Sequence, residues 1–264
     1  MNSLEEELEI AKRVQEGLLS ISHPLVAGVT LAKRCVPATS IGGDFYTFCY
    51  HEETVCSSQH TSPGIVQLTD SQETYLHLMI GDVAGHGVSS ALVMALCMGL
   101  FNEISKKNRS CSRILQEVNA LLYAYIKTSS IPYVTAVCLT YFPHARQLYW
   151  SHAGHPYPIL MRGGHIIELK NEGLFLGSYP QESYATACQN IEPGDRLILY
   201  TDGIIECTNA NGEALTIERM IEWCFLTQEL DSQEAVSAVF GYIDDFLGTT
   251  PPKDDQSFIV VDFE

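Results

Sequence analysis

Basic residues are scarce in this chain: 15 lysines and arginines stand against 32 aspartates and glutamates, a formal net charge of −17 over 264 residues. A surface of that sign repels phosphate backbones and anionic lipid, so nucleic acid and membrane are excluded as main partners, and a protein or a cation is favoured. Paired cysteines are missing too. The nine thiols (Cys35, Cys49, Cys56, Cys97, Cys111, Cys138, Cys188, Cys207 and Cys224) are scattered singly, with no CxxC and an odd total. That excludes a zinc-thiolate site and suits reduced thiols in a cytoplasm. No basic stretch followed by an apolar one opens the sequence, so no export signal is read. The longest apolar run, 91–101, is too short to cross a bilayer as a helix. Internal repeats and low-complexity tracts are also absent. What the chain has in quantity is apolar residues, 46% of the total, enough to bury a sizeable core.

The apolar pattern divides the chain. Leu4, Leu8, Ala11, Val14, Gln15, Leu18 and Leu19 recur at mostly three- and four-residue steps, the signature of a helix with one buried stripe. A break follows at 20–24, and residues 1–22 are read as a linker helix ahead of one domain, 23–264. Short β-branched and aromatic runs predict strands at Val29–Val36, 45–50 and 76–80. Between the last two, 51–74 is polar and irregular and is expected to be a surface loop or a hairpin excursion. Helical periodicity returns at 89–105 and 112–126, then at 216–226 and Ser232–Leu247. Strands are predicted at Val134–Phe142, 147–152, 159–161, 166–169, Arg196–Tyr200 and 258–262. Strands in groups, with helices inserted as blocks, depart from regular βα alternation and predict an α+β fold of antiparallel sheets covered by helices.

Four short motifs set an aspartate beside glycine, or beside a second aspartate, at the edge of an apolar run: Gly42-Gly43-Asp44-Phe45-Tyr46, Gly81-Asp82-Val83-Ala84-Gly85-His86-Gly87, Thr201-Asp202-Gly203 and Asp254-Asp255-Gln256-Ser257. Singly, each is an ordinary turn former. Together they match what a hard divalent ion requires, several oxygen ligands brought from separate strand ends, with glycines that let backbone and water approach.

With Ala153-Gly154-His155-Pro156-Tyr157-Pro158, Gly173-Leu174-Phe175-Leu176-Gly177 and the terminal Asp254-Asp255-Gln256-Ser257-Phe258, these motifs stand in the order of the protein phosphatase 2C superfamily. The chain most resembles its bacterial branch, the stage II sporulation E and RsbU-type serine phosphatases. The resemblance implies an αββα sandwich of two antiparallel sheets flanked by helices. It also implies two manganese or magnesium ions that ready a water for attack on phosphoserine or phosphothreonine. By resemblance Asp82 bridges the ions, with the main-chain carbonyl of Val83 beside it; Asp44 holds one ion, and Asp202 and Asp254 hold the other. Asp255 ranks second as a ligand. His155 stands where relatives with a third ion carry an aspartate, and Thr47 where many bacterial relatives carry an acid. The role of the histidine in distant relatives is not transferred to His86, and His152 and His155 are read as turn-fixing residues. The implied substrate is a phosphorylated regulator, an anti-sigma-factor antagonist. The N-terminal helix resembles a linker that influences metal-site formation, and Leu4, Leu8 and Leu18 are candidates for self-association or activator docking.

Two rival readings follow from the same residues. The Gly42-Gly43-Asp44-Phe45 turn echoes that of cyclic-dinucleotide synthases, but Phe45 and Tyr46 stand where those sites need acids. A catalytically weak or inactive binding module of the same fold, sheltering a phosphoregulator, would not explain the retention of all four aspartates.

Overall fold

The computed structural model describes residues 3–20, 25–62, 65–128, 131 and 133–264, with side chains outside 3–4 and 54–72. Helix α1 spans Ser3–Leu19, and strands β1 (Val29–Val36), β2 (Phe45–Ser62) and β3 (Ile65–Val83) follow. Helices α2 (Val88–Ser105) and α3 (Cys111–Ile126) precede β4 (Val134–Phe142), β5 (Gln147–Ala153), β6 (Ile159–Arg162) and β7 (His165–Glu168). The chain closes with β8 (Ala187–Asn190), β9 (Arg196–Tyr200), the short α4 (Asp202–Ile205), α5 (Ile217–Leu226), α6 (Ser232–Leu247) and β10 (Gln256–Phe263).

Two five-stranded sheets result, in the orders β1-β10-β9-β6-β7 and β2-β3-β4-β5-β8, and every neighbouring pair is antiparallel. The period-two alternation of side chains explains the layering. On β10, Ile259, Val261 and Phe263 join Leu197 and Leu199 of β9 and Leu78, Ile80, Leu139 and Trp150 of the second sheet in a core between the sheets. The alternate residues Phe258, Val260, Ile198 and Tyr200 face α5 and α6. Met79, Ala136 and Cys138 of the second sheet face α2 and α3. Both faces of the central strands β4, β9 and β10 are mostly buried, which is why they read as nearly continuous apolar runs.

The expected αββα sandwich is therefore the observed one, with some changes at its margins. Of the two expectations for 51–74, a surface loop or a hairpin excursion, the hairpin is the observed one: residues 51–62 and 65–74 extend β2 and β3, whose register runs from Phe45 opposite Gly81 to Ser62 opposite Ile65. The alternation of this stretch is invisible in sequence because neither face carries a continuous apolar row. Strand β8 and helix α4, each four residues long, were not anticipated. The break expected at 20–24 falls mostly outside the described residues. Helix α1 buries Gln15 and half-buries Leu8, Ala11, Leu18 and Leu19, whereas Val14 is 60% exposed. Steps of 3, 4 and 3 from Leu8 through Ala11 and Gln15 to Leu18 trace one face; Val14, one residue from Gln15, sits about 100° away from it.

The apolar helix α2 is a core helix, with Met94, Cys97, Met98, Phe101 and Ile104 buried. Beside it, His77 is fully buried, its Nε2 facing the Asn108 carbonyl at 3.0 Å and its Nδ1 the Thr140 hydroxyl at 2.8 Å. The carbonyl can only accept, so the proton sits on Nε2 and Nδ1 accepts from Thr140. Burial, with His51 adding to it, pushes the His77 pKa from 6.5 down to about 3. Below the unfolded value the unfolded chain takes up a proton that the native chain refuses. The stability associated with neutral His77 is thus intact above 6.5 and is lost as pH falls from there toward 3, by up to ~1.4 kcal/mol per pH unit. Urea titrations across that window should give a shallower pH slope for His77→Gln than for the parent; an equal slope would show that this imidazole carries no proton linkage.

Candidate metal centre

The four aspartate motifs meet at one end of the sandwich. Asp44 immediately precedes β2, Asp82 is the penultimate residue of β3, Asp202 opens α4 directly after β9, and Asp254 lies just before β10. Antiparallel pairing of β10 with β9 returns 254–257 beside 200–203. There the Ser257 N–H donates to the Thr201 hydroxyl at 2.9 Å, and the Thr201 hydroxyl donates to Asp44 Oδ2 at 2.8 Å. Thr201, which the motif reading passed over, thereby orients Asp44.

Glycines allow the close approaches. A Cβ on Gly43 would lie 2.7 Å from the Val83 carbonyl oxygen and 3.2 Å from Asp82 Oδ1, so the turn before Asp44 rests directly on the Asp82–Val83 backbone. A Cβ on Gly203 would lie 2.0 Å from the Asp255 carbonyl oxygen, so the turn after Asp202 rests on the aspartate pair.

The carboxylates perturb one another. Asp82 is pushed from 3.8 up to about 7, first by burial and then by Asp202, Asp254 and Asp255. Asp44 is raised well above its ordinary value by burial, then by Asp82 and Asp255. Asp202 is raised by burial and by Glu206, and Asp254 by burial with further contributions from Asp202 and Asp255. Among the described residues none of the four is in an ion pair, and the exposed His86 partly offsets the rise at Asp254. Also among the described residues, no three acidic, histidine or cysteine side chains are gathered closely enough to enclose a cation. The turns that carry them are nonetheless in contact: a Cβ on Gly43, beside Asp44, would lie 3.2 Å from Asp82 Oδ1, and one on Gly203, beside Asp202, 3.2 Å from the Asp254 Cβ. Asp44 is buried, Asp82 and Asp202 are partly buried and Asp254 is exposed; such a hard-oxygen donor set, with no lysine or arginine paired to it among the described residues, fits divalent manganese or magnesium.

Asp255 is placed differently from its neighbour. Its carboxylate accepts from the N–H groups of Ala38 at 2.8 Å, Gly43 at 2.6 Å and Asp44 at 3.4 Å. It holds the turn that presents Asp44. From the other side, Gln15 of α1 closes a two-way pair on Gly42: its Nε2 donates to the Gly42 carbonyl at 2.7 Å, and its Oε1 accepts from the Gly42 N–H at 3.0 Å. Gln15 stood in the sequence stripe among apolar positions, and its burial at 7% exposure marks it as a polar residue with a dedicated partner. His155 packs behind the centre, its Nδ1 2.9 Å from the Thr135 hydroxyl on the strand paired with Asp82, and burial drives its pKa down to about 3. Thr47 hydrogen-bonds Asn102 at 2.9 Å, facing α2 and away from the aspartates.

Residues 72–264 match the family described as Stage II sporulation protein E (SpoIIE), and the chain belongs to that family. It is 25% identical over 233 residues to phosphoserine phosphatase RsbU of Bacillus subtilis (strain 168), a match covering 86% of this chain and 63% of RsbU. The chain thus spans less than two thirds of that curated relative. Among solved structures, the SiaA-PP2C domain of Pseudomonas aeruginosa superposes with a TM-score of 0.78 at 19% identity, covering 100% of both chains. RsbX in complex with magnesium superposes with a TM-score of 0.61 at 16% identity, over 92% of this chain and 99% of that one. Both likenesses establish the protein phosphatase 2C fold.

Proposed function

We propose that this chain is a metal-dependent protein phosphatase that hydrolyses phosphoserine or phosphothreonine on a cytoplasmic regulatory partner of the anti-sigma-factor-antagonist kind. The observation that carries the reading is that the turns bearing Asp44, Asp82, Asp202 and Asp254 pack against one another with no ion pair to any of the four among the described residues, in a member of the SpoIIE family that is 25% identical to a named phosphoserine phosphatase. In this reading Asp82, with the Val83 carbonyl beside it, would be the ligand shared by two manganese or magnesium ions, Asp44 would help to hold one, and Asp202 and Asp254 would help to hold the other. Bound there, hard cations supply Lewis acidity to water and to the phosphoryl oxygens. The protein's own part is positional. Thr201 orients the Asp44 carboxylate, Asp255 fixes the turn in front of it, and Gln15 fixes the same turn from α1. Residues 23–264 act as the catalytic domain and 1–22 as its linker helix; of the residues expected to dock a partner, Leu8 and Leu18 are half-buried, Leu18 against the core, and Leu4 lies outside the described side chains, so the outward Ile10 and Val14, 56% and 60% exposed, offer the apolar strip to a second copy or an activator instead.

Hydrolysis of p-nitrophenyl phosphate by the purified chain, with manganese, with magnesium and with chelator, tests the reading. Turnover is expected with either ion and none with chelator. Absence of turnover with both ions, alongside retained binding of a phosphoprotein, would favour the binding-module alternative.

A further inference from the structure

The aspartate centre is divided between the two sheets. Asp44 and Asp82 stand at the ends of β2 and β3 in the second sheet, and Asp202 and Asp254 beside the ends of β9 and β10 in the first. Packed sheets are held about 10 Å apart by their side chains, whereas the ligands around one ion have to keep their distances to about 0.2 Å. A centre built this way needs a fixed gap between the sheets. On the Asp44 side the gap is closed by the Thr201 hydroxyl, which donates to Asp44, and by the Asp255 carboxylate, which accepts from the Gly43 N–H.

The chain itself crosses from one sheet to the other behind Asp82. Strand β5 of the second sheet ends at Ala153 and β6 of the first begins at Ile159, so 154–158 is the crossover. Its first residue is pinned. Gly154 forms an isolated parallel bridge to Ala136 of β4 at φ +70°, and a Cβ there would lie 2.3 Å from the Phe175 ring, which stacks on Tyr133 at 4.4 Å. Glycine alone meets both demands, a left-handed backbone and the absence of a side chain.

His155 follows, 4% exposed, with its ring between the sheets. Toward the second sheet, Nδ1 lies 2.9 Å from the Thr135 hydroxyl, and that hydroxyl lies 3.4 Å from the carbonyl oxygen of Asp82, the register partner of Thr135. Toward the first sheet, the ring faces the main chain of Tyr200, two residues before Asp202, with no completed bond at Nε2. Both ring nitrogens are turned to protein, so the imidazole acts on an ion only through its neighbours. Burial keeps it neutral, so it brings no charge to the carboxylates. What it supplies is a flat, rigid body of fixed width, touching the residue opposite Asp82 on one side and the strand that ends at Asp202 on the other.

We infer that His155 is a positioning residue that spans the two sheets behind the centre and sets the separation of Asp82 from Asp202, and with it the affinity for a divalent ion. This rests on the metal reading above, and its test is a binding measurement that needs no turnover. Manganese chloride is titrated calorimetrically into the full chain, with the melting temperature in chelator measured beside it. His155→Ala should weaken manganese by at least about tenfold, the scale on which residues behind a metal ligand act. His155→Asn keeps a polar group for the Thr135 hydroxyl but loses the reach to Tyr200, and should fall between parent and alanine. Thr135→Val removes only the hydroxyl and should weaken manganese as well. The double variant Thr135→Val/His155→Ala should bind no worse than His155→Ala, because the two side chains act through one contact. A histidine that merely filled space would lower the melting temperature in chelator and leave the manganese affinity alone. An affinity in His155→Ala within about twofold of the parent overturns the role, and so do additive losses in the double variant. If His155→Ala does not fold, His155→Asn and Thr135→Val carry the same comparison, and parental affinity in both overturns the role. A parent chain that takes up no manganese would overturn the metal reading, and this role with it.

Discussion

Asp82→Asn abolishes metal-dependent phosphoester hydrolysis, by on the order of 10³-fold or more, and leaves the metal-free protein at least as stable as its parent. The two expectations come from one fact. Asp82 sits among Asp202, Asp254 and Asp255, and its carboxyl is held up at about 7 by burial and by those neighbours. Without a cation, this charge opposes folding; with one, it would serve as the proposed shared ligand. An amide of the same shape removes the repulsion and most of the ligation together. Each kcal/mol of relieved repulsion raises the melting temperature by about 2–4 °C in a domain of this size. Manganese should then stabilise the parent more than the variant, because an ion that binds only the native state adds stability in proportion to its affinity. Scanning fluorimetry with chelator and with manganese, beside an aryl phosphatase assay, reads both. A variant that keeps its activity, or that melts well below its parent in chelator, contradicts the placement of Asp82.

Asp255→Ala, one residue from a proposed ligand, has the opposite signature: a loss of roughly 3–5 kcal/mol whether or not metal is present. The Asp255 carboxylate accepts the N–H groups of Ala38, Gly43 and Asp44, and truncation strands those donors in a region where Gly43 and Asp44 are buried. Asn keeps one acceptor oxygen and should lose less. Because the turn it holds presents Asp44, activity should fall with stability in both variants, and the melting temperature in chelator separates the roles. A ligand with no structural duty would melt normally there. Chemical denaturation of the three proteins in chelator is the deciding measurement, and an unchanged midpoint for the alanine variant would return Asp255 to the ligand set.

The contrast between Asp254 and Asp255 shows where sequence stops being informative. Four aspartates at strand ends were legible as a set because each follows or precedes an apolar run and most sit beside glycine. Which of two adjacent aspartates faces the cleft depends on the pleat of the chain entering β10, and no residue spacing encodes it. The sheets were legible for the same reason as the motifs: Val134–Phe142 and Arg196–Tyr200 are buried on both faces and read as unbroken apolar strands. The outer half of the β2–β3 hairpin has no such row to read. The roles of Thr201, Thr135 and Gln15 were not legible because a hydroxyl or an amide gains meaning only from what folds against it. For Gln15 a signal did exist, a polar residue standing in line with Leu8, Ala11 and Leu18.

That same glutamine gives α1 an address. Its amide reads the donor and the acceptor of one residue's backbone, as a base edge reads its complement, and no aliphatic side chain or carboxylate offers both. A helix held only by leucines can creep along a greasy surface with little penalty, whereas one indexed by a complementary pair has a single resting phase. Sliding or rolling by a residue would strand Gly42 in the dry interior. The first segment of the chain is therefore docked like a key bit, and the loop that carries Asp44 is the lock it fits.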